Sequence, residues 1–291
     1  MQFRPIPCHK SLQPFIRNYW LLTARCTAKA THRIYSNGAA SLHFYLGQTV
    51  KLDGDEREYR TALNKHELGC MEVHTEEGEF VIVGVEFVPF CSQLFFKMQE
   101  GVSHLTPEDL GDVEFATLSA KMLEAGTTEE RVQLLDEFFC KRLSEISISE
   151  VNMERLEEVF EDIVPTDKEA KQKIDFENLS TSDLAETACL SQKQFTRVFS
   201  EYVGMRPKAY LRLLRFHKAL MELQKAGDNK TLKEIAWECG FYDLAHMNNE
   251  FRQLCGHSPS EVVELGSKMT EAFEQGFSGQ MKKKVIVENL E

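Results

Sequence analysis

Between Ser191 and Lys218 the chain concentrates side chains that bind phosphate and read base edges. Seven cations (Lys193, Arg197, Arg206, Lys208, Arg212, Arg215 and Lys218) stand there against one acid, Glu201. Within this stretch Phe195, Val198, Phe199 and Tyr202 fall at i, i+3, i+4 and i+7, the spacing of the buried stripe of an amphipathic helix. That spacing turns Gln192, Lys193, Thr196, Arg197 and Ser200 outward. An outward arginine pairs with guanine through two hydrogen bonds or clamps a phosphate, and lysine, glutamine and threonine supply further donors. A local excess of positive charge beside such a helix is the electrostatic footprint of a phosphate binder.

The elements that must hold these side chains are also legible. Ser191 is placed to cap the helix, with Gln194 completing a capping box. Leu184, Ala185 and Ala188 form the inner face of a short helix before it, and Ala185 is small where the second helix crosses. Gly204 fits a helix stop and Pro207 a helix start. The helix from Pro207 to about Lys225 has an apolar face of Tyr210, Leu213, Leu214, His217, Leu220 and Met221, and Gly227-Asp228-Asn229 breaks it. The pattern then repeats. Leu232, Ile235 and Ala236 precede a Gly240-Phe241 turn, Met247, Phe251 and Leu254 form an inner face, and Gly256 and Ser258-Pro259 close the unit. Ala185 matches Ala236 at an offset of 51, whereas from Phe195/Met247 to Pro207/Pro259 the offset is 52. Two copies of one helix-turn-helix joined by a helix suit two successive DNA grooves. The copies differ in charge, because from Lys230 to His257 three cations face four acids, Glu234, Glu238, Asp243 and Glu250. The outward candidates in the second copy are His246, Asn248, Asn249 and Arg252, of which the asparagines can pair with adenine edges.

The segment Gly240-Phe241-Tyr242-Asp243-Leu244-Ala245-His246, with Phe251-Arg252, Gly256 and Ser258-Pro259, resembles the signature of AraC-type (AraC/XylS) transcriptional regulators. The resemblance covers about 85 residues strongly. It extends more weakly over Leu12 to Trp20, Arg33 to Gly38 and Val83 to Phe87, which are similar to a sensor-like domain of that family. It implies a transcription factor whose amino-terminal domain, often cupin-like, senses a ligand or dimerises, and it implies base contacts at Lys193, Thr196 and Arg197. Three positions depart from the family pattern. Met247 replaces an aromatic or leucine, Asn249 stands where an arginine is common, and Cys189 occupies a turn position that is commonly glycine. A cysteine there is harmless unless the turn demands positive φ, where it is strained.

The remaining sequence predicts an α+β two-domain chain. Residues 1–147 form a β-rich sensor or dimerisation domain, a β-barrel or cupin-like jelly roll with helices. Residues 148–266 form the all-α double helix-turn-helix, and 267–291 a tail whose Met281–Glu288 reads as a short strand or a basic arm. Candidate strands are Phe15–Leu22, Arg33–Tyr35, Ser41–Leu46 and Phe80–Phe87, with turns at Asn37-Gly38, Leu46-Gly47 and Asp53-Gly54-Asp55. Pro89–Gln99 contains a short helix. Ala116–Ala125 and Thr128–Leu143 form a helical hairpin that either covers the barrel or offers a dimer surface. Met153–Val164 opens the DNA-binding domain, and Pro165–Asn178 is a loop. Trp20, His43, Tyr45 and Phe87 are candidates to line a small-molecule pocket, or else they fill a closed core.

The chain has 291 residues and a net charge of −12. No apolar run suits a membrane span, and no secretory leader is read at the amino terminus. Eight scattered cysteines without a CxxC pair suit free thiols in the cytoplasm. His43, His66, His74 and Glu79 lack the His-x-His spacing of a cupin metal site, so no metal and no cofactor is expected, nor is an enzymatic activity. Expected partners are double-stranded DNA and a small-molecule effector, with a homodimer and RNA polymerase as further candidates. The competing reading is a small-molecule-binding or enzymatic cupin-like protein whose helical repeat is a scaffold or interaction module.

Overall fold

Strand-forming residues fill the first third of the chain, and in the computed structural model they make two antiparallel sheets. The structure describes residues 2–35, 40–65, 70–96, 103–164, 179–226, 230–266 and 285–289. The expected Asn37-Gly38 turn, His66, the Pro165–Asn178 loop, the Gly227-Asp228-Asn229 break and most of the tail lie outside these residues.

The strands are β1 (Gln2–Ile6), β2 (Ile16–Cys26), β3 (Ala30–Tyr35), β4 (Ser41–Tyr45), β5 (Lys51–Leu52), β6 (Thr61–Asn64), β7 (Cys70–Thr75), β8 (Gly78–Phe87), β9 (His104–Leu105) and β10 (Val285–Asn289). The larger sheet runs β1-β2-β8-β4-β6-β9 and the smaller β10-β3-β7-β5. Of the expected barrel or jelly roll, the closed barrel is not what forms: among the described residues the domain is two sheets whose edge strands do not pair with one another. The tail segment is a strand that pairs antiparallel with β3, Val285 opposite Ile34.

The larger sheet is buried on both faces. Along β8, Phe80 and Ile82 join Trp20, Leu22, Tyr45, Val50, Leu52, Tyr59, Met71 and Val73 in the core between the sheets. Val83, Val85 and Phe87 join Tyr19, Leu42, Phe44, Phe95, Phe115, Leu118, Met122, Leu135 and Phe139 on the other face. A strand buried on both faces needs apolar residues at consecutive positions. The second core is closed by α3 (Val113–Glu124) and α4 (Thr128–Glu145), the expected hairpin, which spends its apolar face covering the sheet. Preceding these are α1 (Ser92–Phe95) and α2 (Pro107–Leu110).

Among the described residues seven helices follow: α5 (Glu150–Ile163), α6 (Thr181–Thr187), α7 (Gln192–Val203), α8 (Pro207–Ala226), α9 (Leu232–Glu238), α10 (Leu244–Cys255) and α11 (Pro259–Gly266). The α5 stripe of Met153, Leu156, Val159, Phe160 and Ile163 packs onto α6, α7 and α8. Phe90 and Cys91, from the segment leaving β8, complete that same core, with the Phe90 and Phe160 ring centroids 4.8 Å apart. The amino-terminal domain and the first helix-turn-helix therefore share one apolar cluster.

Candidate nucleic-acid interface

Both helix-turn-helix units are built by the same local devices. In the first, the Ser180 hydroxyl and the Asp183 carboxylate form a capping box at α6, and Ser191 with Gln194 forms one at α7. The Ser191 Oγ accepts from the Gln194 N–H at 3.4 Å, and the Gln194 Oε1 accepts from the Ser191 N–H at 3.2 Å. In the second, Thr231 and Glu234 make the box at α9, and Asp243 caps α10 by accepting from the His246 N–H at 2.7 Å. These bonds satisfy amide groups that a helix start leaves without partners.

The turns also match. At the first, Cys189 N–H donates to Glu186 O and Leu190 N–H to Ala185 O, both at 2.9 Å. At the second, Gly240 N–H donates to Trp237 O at 3.0 Å and Phe241 N–H to Ala236 O at 2.9 Å. Gly240 has φ +74° and Cys189 has φ +52°. The cysteine thus does sit in the left-handed region that the sequence comparison with glycine raised as a source of strain. Each recognition helix ends at a left-handed glycine, Gly204 or Gly256.

Phe195, Val198, Phe199 and Tyr202 are buried with Val203, and the Phe199 ring stacks on Phe160 at 5.9 Å. Gln192, Lys193, Thr196 and Arg197 are exposed. Together with Ser200, Gly204, Met205 and Arg206 they line one open groove. In the second unit Met247, Phe251 and Leu254 are buried, Asn249 and Arg252 are exposed, and His246 and Asn248 are half-buried. His246 is engaged locally: its Nδ1 accepts from the Tyr242 N–H at 3.3 Å, and its Nε2 lies 3.9 Å from Glu250.

The connecting helix α8 serves two cores. Tyr210, Leu211 and Leu214 pack into the first, and Leu213, Phe216, Ala219, Leu220 and Leu223 into the second. A single apolar face does not describe it, which is why the sequence reading left out Leu211 and Phe216. Arg212 lies between the units. Its guanidinium donates to the Glu250 carboxylate and to Gln253 Oε1, both on α10, and its side chain is 37% exposed. The sequence reading set this residue among the DNA contacts; the structure gives it a bracing role between α8 and α10. Lys230 is similarly paired with Glu238 at 2.6 Å and Glu222 at 3.5 Å, so its ammonium is engaged within the protein.

The four pocket candidates of the amino-terminal domain do not converge on one cavity. Trp20, His43 and Tyr45 are buried together, with ring centroids 5.1 Å apart for Trp20–His43 and 6.0 Å for His43–Tyr45. The Trp20 ring lies over Gly84, where a Cβ would come within 2.0 Å of it, so only glycine admits the indole. His43 Nδ1 is 3.1 Å from Asn64 Nδ2, whose Oδ1 is 2.8 Å from His104 Nδ1, and His104 Nε2 is 2.7 Å from Asp53. Phe87 faces the opposite side of the sheet, against Phe95 and Phe139. Alternation along a strand separates it from the other three.

Comparison with known proteins agrees with this geometry. Residues 184–264 match a family described as a helix-turn-helix domain, and residues 4–110 match one described as a domain of unknown function. The chain is similar to the HTH-type transcriptional regulator ArgR of Pseudomonas aeruginosa, 31% identical over 85 residues, 29% of this chain and 25% of that protein. It is also similar to the HTH-type transcriptional activator RhaS of Escherichia fergusonii, 35% identical over 86 residues, 30% of each chain. It thus spans between a quarter and a third of the length of these relatives. Among solved structures, ToxT from Vibrio cholerae aligns over 84% of this chain and 97% of its own at 14% identity, with a TM-score of 0.42. The repeated, doubly capped unit at residues 184–264 is thus a helix-turn-helix domain similar to the one these regulators carry.

Proposed function

We propose that the protein is a sequence-specific DNA-binding transcriptional regulator. The carrying observation is that two capped recognition helices are fixed at the two ends of one shared helix, and the first leaves Gln192, Lys193, Thr196 and Arg197 exposed along one groove. In this reading α7 enters one major groove and α10 the next, with Asn248, Asn249 and Arg252 facing the bases or backbone. The relatives that share this domain are named as transcriptional regulators and activators, which supports binding rather than catalysis as its task. Among the described residues no helix is long and apolar enough to cross a membrane, in keeping with a protein that works on DNA in the cytoplasm.

Control by the amino-terminal domain runs through Phe90 and Cys91, since a shift of that segment repacks the core beneath α7. An effector would act by binding the DNA-competent arrangement more tightly than the other.

The test is enrichment of bound duplexes from a random-sequence pool, followed by titration of the enriched site. Arg197→Ala is expected to cost roughly 1–3 kcal/mol and to relax the preference at one base position. Unchanged affinity together with unchanged preference would sink the assignment of α7 as the reading helix.

A further inference from the structure

The two units are not the same length, and the structure locates the extra residue. Cys189 and Leu190 superpose on Gly240 and Phe241 by identical turn hydrogen bonds, at an offset of 51. The helix caps Ser191 and Asp243 are equivalent at an offset of 52. The residue inserted between them is Tyr242, which has no counterpart in the first unit. Its side chain is 92% exposed, so the ring contributes almost nothing to folding. Its backbone is held, because its N–H donates to His246 Nδ1 one turn into α10. The insertion therefore presents an uncovered phenol on a held backbone at the entry to the second recognition helix.

We infer that Tyr242 is a DNA-backbone anchor of the second unit, donating its hydroxyl to a phosphate and laying its ring against the neighbouring deoxyribose. This inference rests on the proposed function. Position argues for it, since residues at the start of a recognition helix lie nearest the duplex and tyrosine is among the side chains that bond phosphate oxygens. Charge argues for it as well. Lys230 is paired with Glu238 and Glu222, and Arg212 with Glu250, so a neutral donor adds to the grip that the exposed Lys233 and Arg252 can give. The neighbouring Asp243 carboxylate is held in the α10 cap by the His246 N–H and keeps its charge, which favours a neutral hydroxyl reaching past it. A tyrosine supplies a donor and an apolar surface without counterion release, so the grip is insensitive to salt.

The experiment measures binding of the full chain to the duplex it enriches from a random pool, over a range of salt. Tyr242→Ala is expected to weaken binding about tenfold, equally on enriched and scrambled duplexes, and to leave the slope of log affinity against log salt unchanged. Arg252→Ala is the contrast, expected to lower that slope by about one if it meets a phosphate. Tyr242→Phe, which removes only the hydroxyl, is expected to lose part of the tenfold and to abolish interference by ethylation of one phosphate. An unchanged melting curve confirms that each variant folds. If the parent chain binds DNA and both Tyr242 variants bind as tightly, the anchor is wrong while the proposed function stands. If the variants bind DNA normally but alter transcription in a purified system, Tyr242 meets a protein and the inference is overturned. If the parent enriches no duplex, the proposed function fails and the anchor with it.

Discussion

Replacing Cys189 by glycine should stabilise the first helix-turn-helix. Cys189 is held at φ +52° by the two bonds that close the turn, and its side chain is exposed, so truncating it removes little buried surface. A non-glycine residue in the left-handed region carries a cost of roughly 1–2 kcal/mol. Glycine returns about 0.4–1 kcal/mol of that by loosening the unfolded chain. The net gain is then about 0.5–1 kcal/mol, or roughly a two- to fivefold rise in protection. Gly240→Ala runs the same two quantities backwards at φ +74°, and should cost the second unit a similar amount. Hydrogen exchange of the intact chain is the suitable assay, because it reports each unit separately. Amides of α6 and α7 should slow in the first variant, and those of α9 and α10 should speed up in the second. Two variants that move their own units in the same direction would refute the account, since strain and chain entropy must reverse sign between them.

Four further outcomes are expected. Phe90→Ala should destabilise the first unit by roughly 3–4 kcal/mol in chemical denaturation, because it opens the shared core against Phe160; a loss under 1 kcal/mol would mean that the two domains are not joined there. A fragment beginning near Ser147 should accordingly be less stable than the same residues within the whole chain. His32 is buried against Phe80 and Thr75, and that burial, reinforced by nearby His74, lowers its pKa from the ordinary 6.5 to about 4. The unfolded chain therefore binds more protons between these values. Stability is full above about pH 6.5 and falls towards pH 4 by an amount on the order of 3 kcal/mol, and His32→Gln should flatten that slope in pH-dependent melting. Arg212→Ala should loosen the α8–α10 contact, which exchange at α10 would detect, while lowering the salt slope of DNA binding by well under one; a full unit of slope would return Arg212 to the phosphate contacts.

The recognition helices were legible because every local signal agreed. The Ser191–Gln194 box, the stripe from Phe195 to Tyr202, the Gly204 stop and the Pro207 start each follow from spacing alone, and the structure reproduces them. What escaped depends on pairs of distant residues. Arg212 is indistinguishable from a DNA-facing arginine until Glu250 is brought beside it. Phe90 and Cys91 read as part of a short helix leaving the sheet until α5 packs on them. Phe87 parts from the other pocket candidates for a different reason. Trp20, His43 and Phe87 are all strand aromatics, but pairing with β8 sets which side of the sheet each occupies, and Phe87 falls on the other side.

The inequality of the two units gives any bound complex a polarity. A symmetric dimer presents the same face whichever way its palindrome is inserted. Here one chain carries a basic, exposed α7 at one end of α8 and a charge-compensated α10, with its extra turn residue, at the other. The matching DNA site has no two-fold symmetry, so reversing it relative to a start site turns the protein end for end. The amino-terminal domain, packed on the first unit at Phe90 and on the second at Cys70, turns with them to the opposite flank. Under the proposed function, the direction in which the site is written thus becomes an instruction, setting which domain stands nearer the start site.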